Sequence, residues 1–170
     1  MQDHANVHID AFHPRDEQDV IALILAIQRD EFGFEITADD QPDLREIPTF
    51  YQQGAGDFWL ARVDGKVVGT IGLKDIGNGE GALRKMFVDA AHRGASLSVA
   101  ARLLKVLLHT AAQRDLRRVY LGTTDRFAAA HRFYEKQGFE RVAPEVLPDS
   151  FPRMALDTRF YAMDPATFGG

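Results

Sequence analysis

The sequence predicts an α+β fold with a largely antiparallel sheet and helices inserted late in the chain. Three observations carry that reading. Apolar residues alternate with polar ones at Val7, Ile9 and Ala11, and short apolar segments in the middle are parted by Asp64-Gly65 and Gly77-Asn78-Gly79, the pattern of strands joined by tight turns. The period then changes: Leu97, Ala100, Ala101, Leu104, Leu107, Leu108 and Ala111 recur at helical spacing. Short apolar segments return after that helix, so strands, helices and strands follow one another rather than alternating regularly.

Each element has its own local reason. A first strand spans about 7–12. Pro14 can open a helix, with Asp16, Glu17 and Asp19 facing its positive end. Val20, Leu23, Ile24 and Ile27 form its apolar stripe, and Gly33 ends it. Residues 43–53 read as two short helical pieces, because Pro48 interrupts them. Strands 58–63 and 67–73 form a hairpin through Asp64-Gly65, and 83–88 adds a third strand of the meander. In the long helix, Arg102, Lys105, His109 and Gln113 make the wet face. A short strand at 118–121 precedes a helix that Asp125 can cap and that runs to about 137, with Gly138 past its end. Segments 139–142 and 156–163 close the sheet.

The 170 residues are 45% hydrophobic and 26% charged, which is ordinary globular usage and fits one domain spanning 1–170. There is no cysteine, which removes a disulfide framework, a thiol nucleophile and a cysteine-zinc site together. Twenty basic residues face 25 acidic ones, for a net charge of −5, and no basic run appears. Nucleic acid and anionic membrane surfaces are therefore disfavoured as partners. The longest apolar stretch, 20–27, falls far short of the roughly 20 residues that a bilayer requires. Met1-Gln2-Asp3-His4 lacks a cationic head before an apolar run, so no secretory signal is expected and a cytoplasmic location is the default. No metal site is expected either, since His4 and His8 have helical spacing but His8 belongs to a strand.

The chemistry concentrates in two segments. Residues 83–100 run Leu83-Arg84-Lys85-Met86-Phe87-Val88-Asp89-Ala90-Ala91-His92-Arg93-Gly94-Ala95-Ser96-Leu97-Ser98-Val99-Ala100: a strand, a loop of small residues, then a long helix. Unpaired amides at such a helix start, aided by the helix dipole, suit a phosphate. Gly77-x-Gly79 is a hairpin turn and no dinucleotide fingerprint, because its third glycine position is Ala82 and no helix follows. The second segment carries Ala128-Ala129-Ala130-His131-Arg132-Phe133-Tyr134-Glu135-Lys136-Gln137-Gly138-Phe139.

That second segment closely resembles the C-terminal signature of the GNAT acetyltransferases, in which a helix with Ala, Phe-Tyr and Lys-x-Gly-Phe leads into a strand. The first segment resembles the same superfamily's coenzyme A pyrophosphate loop, and the likeness runs from about Val7 to Met163. It implies the GNAT acyltransferase fold, a mostly antiparallel mixed sheet flanked by about four helices. It also implies transfer of an acetyl group from acetyl-CoA, as acyl-donor substrate, to a primary amine of a small molecule or protein. A non-catalytic acyl-CoA-binding or sensing module is the alternative, and an edge-strand homodimer is a family-level expectation.

The resemblance also assigns residues. Arg93, Gly94, Ala95, Ser96, Ser98, Val99 and Ala100 fall in the cofactor loop, Phe87 or Val88 offers a backbone N–H to the reacting carbonyl, and Phe127 and Ala130 lie along the cofactor arm. Counted back from Leu103-Leu104, the family pattern Gln/Arg-x-x-Gly-x-Gly/Ala falls on Ala95, Ser98 and Ala100; either the Arg/Gln and middle Gly are replaced, or the loop is two residues longer. A left-handed backbone at Ser98 would be costly without Gly. The family's Asn six residues before Phe-Tyr is Phe127 here. A lysine-like amine sits about 3.4 pKa units from its nucleophilic form at pH 7, roughly 4.6 kcal/mol, so the site must help remove a proton. Tyr134 is expected to hydrogen-bond the departing sulfur. The family's base position falls on Ala82, and Glu80, two residues away, is the candidate base. Glu31, Glu35, Asp39 and Asp40 could attract a cationic amine, His92 could touch a phosphate, and Arg153 could read an acidic group on the acceptor.

Overall fold

Among the described residues seven strands form one sheet in the order β1-β2-β3-β4-β5-β7-β6. They are β1 (Val7–Ala11), β2 (Asp57–Val63), β3 (Lys66–Gly77), β4 (Glu80–Val88), β5 (Arg118–Thr123), β6 (Glu140–Val142) and β7 (Arg159–Met163). This is a computed structural model, and it describes residues 7–93, 98–125 and 128–168. Every neighbouring pair is antiparallel except β4 with β5. The hairpin of β2 and β3 turns at Asp64 and Gly65, both with positive φ (52° and 77°), the geometry that matches strand twist. Asn78 and Gly79 repeat it between β3 and β4 with φ of 57° and 74°.

Among the described residues four α-helices pack on this sheet: α1 (Glu17–Leu25), α2 (Ile47–Phe50), α3 (Val99–Gln113) and α4 (Ala128–Lys136). The α1 helix widens at its end into a π-helical turn, Ala26–Glu31, before Gly33 at φ 70°. Pro48 does not interrupt a helix. It stands in the first turn of α2, where its missing N–H costs nothing. The expected strands shift at their ends: β4 begins at Glu80 rather than 83, and β7 begins at Arg159 rather than 156.

Strand alternation divides the core. Trp59 and Ala61 of β2 face α3, where Leu103, Leu104, Leu107, Leu108 and Ala111 are buried. Phe58 and Leu60 face the other way, onto Val20 and Ile24 of α1 and Ile47 and Tyr51 at α2. Each such side chain contributes roughly 1.5–3 kcal/mol by burial. A third cluster holds Ala82, Tyr120, Phe151 and Phe160, fixing the loop between β6 and β7 against the sheet. Among the described residues no helix is long and apolar enough to cross a membrane.

Candidate active site

The sheet opens at its centre. β4 and β5 pair only from Glu80 to Ala82 against Arg118 to Tyr120, although both strands continue. Beyond that point a cleft lies between them, lined by Leu83 to Phe87 of β4, Gly122 and Thr123 of β5, and Ala130 and Tyr134 of α4. Two loops close it: Gln28, Phe34 and Ile36 from the end of α1, and Met154, Leu156 and Asp157 before β7. A splayed strand leaves backbone N–H and C=O groups without a ladder partner on one side. Val88 stands opposite Gly69, and the next N–H, on Asp89, donates to the Val68 carbonyl at 2.8 Å. By alternation the Val88 N–H and C=O point away from β3.

A bulge shapes the β4 wall. Phe87 pairs with Thr70 and Arg84 with Gly72, so Lys85 and Met86 share Ile71 as their only opposite number. Lys85 takes a left-handed backbone, φ 55°, and the Thr70 hydroxyl donates to its carbonyl at 2.7 Å. An extra residue breaks the two-residue alternation. Consecutive side chains Arg84 and Lys85 therefore both approach Asp43, at 3.9 and 3.8 Å.

The resulting polar cluster is buried and well partnered. Tyr51 donates its hydroxyl to Asp43, and the Arg84 Nε–H donates to Tyr51 at 3.2 Å. Arg84 also donates to the Pro152 carbonyl at 2.8 Å, tying β4 to the loop before β7. Lys85 donates to the Gln41 amide oxygen at 2.8 Å, and Gln41 and Gln28 exchange hydrogen bonds at 2.8 and 3.0 Å. Burial lowers the Lys85 ammonium to about 8, against the pull of Asp43. Burial also raises the Tyr51 phenol well above its ordinary value.

Tyr134 lies on the cleft side of α4, packed edge-on between Phe133 and Phe139. Among the described residues no hydrogen bond takes its hydroxyl. Burial alone pushes its pKa far up, so the phenol keeps its proton throughout the working pH range. The His131 Nε2 and the Thr124 carbonyl lie 2.9 Å apart, holding α4 against the end of β5.

The expected cofactor loop is reached only in part. Gly94, Ala95, Ser96 and Phe127 lie outside the described residues, as does Leu97 of the expected helix stripe. The helix starts at Val99, which is buried, and Ser98 precedes it with φ 50° and ψ 37°, the left-handed backbone that glycine adopts cheaply. Ala100 follows in the first turn, half-buried. Arg93 is already engaged: its guanidinium pairs with both oxygens of Glu31, and its Nε–H donates to the Val88 carbonyl at 2.8 Å.

Several expected acceptor-side residues are employed elsewhere. Glu80 stands at the far start of β4, outside the cleft lining, and accepts the Tyr120 hydroxyl at 3.0 Å. Asp39 pairs with Arg45, and Asp40 accepts the Thr37 N–H at 2.9 Å. Glu35 does not line the cleft. Arg153 lies over the Phe160 ring at 4.8 Å, and the His92 Nδ1 sits 3.5 Å from Asp89. In their place the cleft presents Arg84, Lys85 and Asp157, which the sequence reading passed over. A signal existed for the first two: adjacent cations in the apolar run from Leu83 to Val88 cannot both be solvent-facing in a regular strand.

A family model described as the acetyltransferase (GNAT) family matches residues 21–139. A solved acetyltransferase of the GNAT family from Staphylococcus aureus Mu50 superposes with a TM-score of 0.90 at 38% identity, over 94% of this chain and 99% of that one. A probable N-acetyltransferase camello of Xenopus tropicalis is 33% identical over 107 residues, 62% of this chain and 49% of that protein. An N-acetylaspartate synthetase of Xenopus tropicalis is 36% identical over 104 residues, 59% of this chain and 37% of that protein. The chain thus spans half or less of the length of these two curated relatives.

Proposed function

The chain belongs to the GNAT acetyltransferase family, and on that premise we propose that it acts as a single catalytic domain transferring an acetyl group from acetyl-CoA to a primary amine of a small molecule or protein. The observation that carries this reading is the phenol of Tyr134, without a hydrogen-bond partner among the described residues, facing the gap where β4 and β5 part. The relative that is an N-acetylaspartate synthetase supports a small amine as acceptor.

The residues fit the donor. The unpaired β4 edge from Leu83 onward is a row of amide donors and acceptors, suited to an extended arm that carries amides of its own. The start of α3 offers helix amides for a diphosphate, and the left-handed Ser98 places a small residue where the chain must turn closely. Ser98 directly before the helix and Arg93 five residues earlier favour reading Arg93-x-x-Ser96-x-Ser98 as the family loop without extra residues. Arg93 then holds the loop to Glu31 and β4, and phosphate binding falls to the backbone.

Acetyl-CoA supplies the activated acyl group. The Val88 N–H, aimed away from β3, is the donor for negative charge growing on the reacting carbonyl oxygen. Tyr134 offers its proton to the departing sulfur. A thiolate near pKa 8.5 is a weaker base than a buried phenolate, so the phenol stabilises the sulfur by hydrogen bonding without needing complete transfer. The apolar rim of Phe34, Ile36, Met154 and Leu156 keeps water from competing with the amine. Incubating the protein with acetyl-CoA and an amine panel tests this: free thiol should appear with the right amine, whereas thermal stabilisation by acetyl-CoA without thiol release would mark a binding module.

A further inference from the structure

We infer that Asp157 is the group that takes the proton from the acceptor ammonium, an assignment that rests on the acetyl-transfer reading above. Among the described residues lining the cleft it is the sole carboxylate. The other acidic candidates are engaged or displaced: Glu80 with Tyr120, Glu31 with Arg93, Asp43 with Tyr51. Asp157 is also built into place. Its Oδ2 accepts the Met154 N–H at 2.9 Å, while no hydrogen bond among the described residues takes Oδ1. Across the cleft, β5 makes room for it. A Cβ on Gly122 would lie 2.6 Å from Oδ2 and 3.1 Å from the Phe160 ring, so any other residue there would push the carboxylate out.

The groups around it set its basicity. Arg84 and Lys85 face it from β4 and Arg153 from its own loop, all favouring the charged form, as does the Met154 N–H. β5 contributes Gly122 and Thr123 and α4 contributes the uncharged Tyr134 phenol. Burial outweighs the cations and leaves the Asp157 carboxyl above the ordinary aspartate value, which strengthens it as a base. The acid and the base thus come from separate walls of one cleft, with Tyr134 held protonated by burial.

The protons balance. The ammonium N–H bond breaks and its proton passes to the Asp157 carboxylate, then to solvent, leaving a neutral amine. The amine lone pair forms the C–N bond at the thioester carbon, the C–S bond breaks, and its electron pair leaves on sulfur. The departing thiolate accepts a hydrogen bond from the Tyr134 hydroxyl, which keeps its proton, and the proton that the adduct nitrogen loses as it becomes an amide converts the thiolate to free thiol.

The test uses the intact protein with acetyl-CoA and a panel of the twenty L-amino acids, tyramine, spermidine and an N-terminal alanyl tetrapeptide. Asp157→Asn should lower kcat/KM at pH 7 about a hundredfold. Its remaining rate should climb about tenfold per pH unit between 7 and 9, because only amine already neutral in solution reacts, whereas wild type should stay nearly flat. Gly122→Ala, which keeps the aspartate but displaces it, should show the same change of slope with unaltered stabilisation by acetyl-CoA. In the free protein the Asp157 carboxyl carbon, assigned against Asp157→Asn, should titrate above exposed aspartates by NMR. Thiol release by wild type with an unchanged pH profile in Asp157→Asn and Gly122→Ala overturns this assignment and leaves acetyl transfer standing. An Asp157 titration in the ordinary aspartate range also overturns it. No thiol release by wild type with any amine of the panel overturns both readings.

Discussion

The hydroxyl of Thr70 on β3 donates to the carbonyl of Lys85 on β4 at 2.7 Å, at the residue where β4 bulges with φ 55°. This bond sits on the bulge that brings Arg84 and Lys85 to one face. Without the bulge one of the two would turn to the α3 side of the sheet, and the cleft would lose a wall. Thr70→Val keeps the shape and removes the donor, leaving a partly buried carbonyl short of a partner. A loss of about 1–3 kcal/mol is expected, seen as a drop of several degrees in thermal midpoint. Turnover of the folded variant should fall with acceptor KM raised; an unchanged midpoint and KM would show that the bulge holds itself.

Tyr134→Phe should lower kcat about a hundredfold and leave acetyl-CoA KM within about twofold. Its thermal midpoint should barely move, because the buried hydroxyl makes no hydrogen bond among the described residues and its removal exposes no orphaned partner. Steady-state kinetics beside a melting curve check both. A fall in stability that matches the fall in rate would make Tyr134 a packing residue.

Lys85 gives a pH dependence with a definite sign. Its folded pKa is about 8 against 10.5 for the free side chain. Between those values the unfolded chain binds the extra proton, so stability from this group rises with pH from about 8 to about 10.5 and is flat below. Lys85→Met removes the term. Denaturant melts at pH 7, 9 and 10.5 should show wild type gaining on Lys85→Met as pH rises. A gap constant with pH would place the ammonium in ordinary solvent.

Glu31→Ala should loosen the donor site from a distance. It frees the Arg93 guanidinium from the end of the π-helical turn, so that Arg93 keeps only its bond to the Val88 carbonyl. Because the pair is partly exposed, the change is small, about two- to fivefold in acetyl-CoA KM, with kcat nearly unchanged. The difference should shrink in high salt. An acetyl-CoA KM equal to wild type at low salt would show that the clamp has no part in donor binding.

Much of the fold was legible because its signals are local. Asp64-Gly65 and Asn78-Gly79 dictate their turns, and the stripe from Ala100 to Ala111 dictates its helix. The family likeness at Phe133-Tyr134 located the cleft-facing phenol. Two things stayed hidden for a physical reason. The bulge at Lys85 depends on Thr70, fifteen residues away, so strand alternation alone misplaces the side chains after Arg84. Asp157 sits in a loop whose course is set by Phe151 packing on Tyr120 and Phe160, contacts between distant segments that no spacing rule reveals. Glu80 drew attention by nearness in sequence to Ala82, yet β4 and β5 are still paired there, short of the point where the cleft opens.

A crystal structure of the protein with coenzyme A would show directly where the donor lies. The pantetheine arm is expected between β4 and β5, hydrogen-bonded to the β4 edge beyond Ala82, with its sulfur within hydrogen-bond reach of the Tyr134 hydroxyl. Coenzyme A bound elsewhere, or a sulfur remote from Tyr134 with the β4–β5 gap vacant, would contradict this placement.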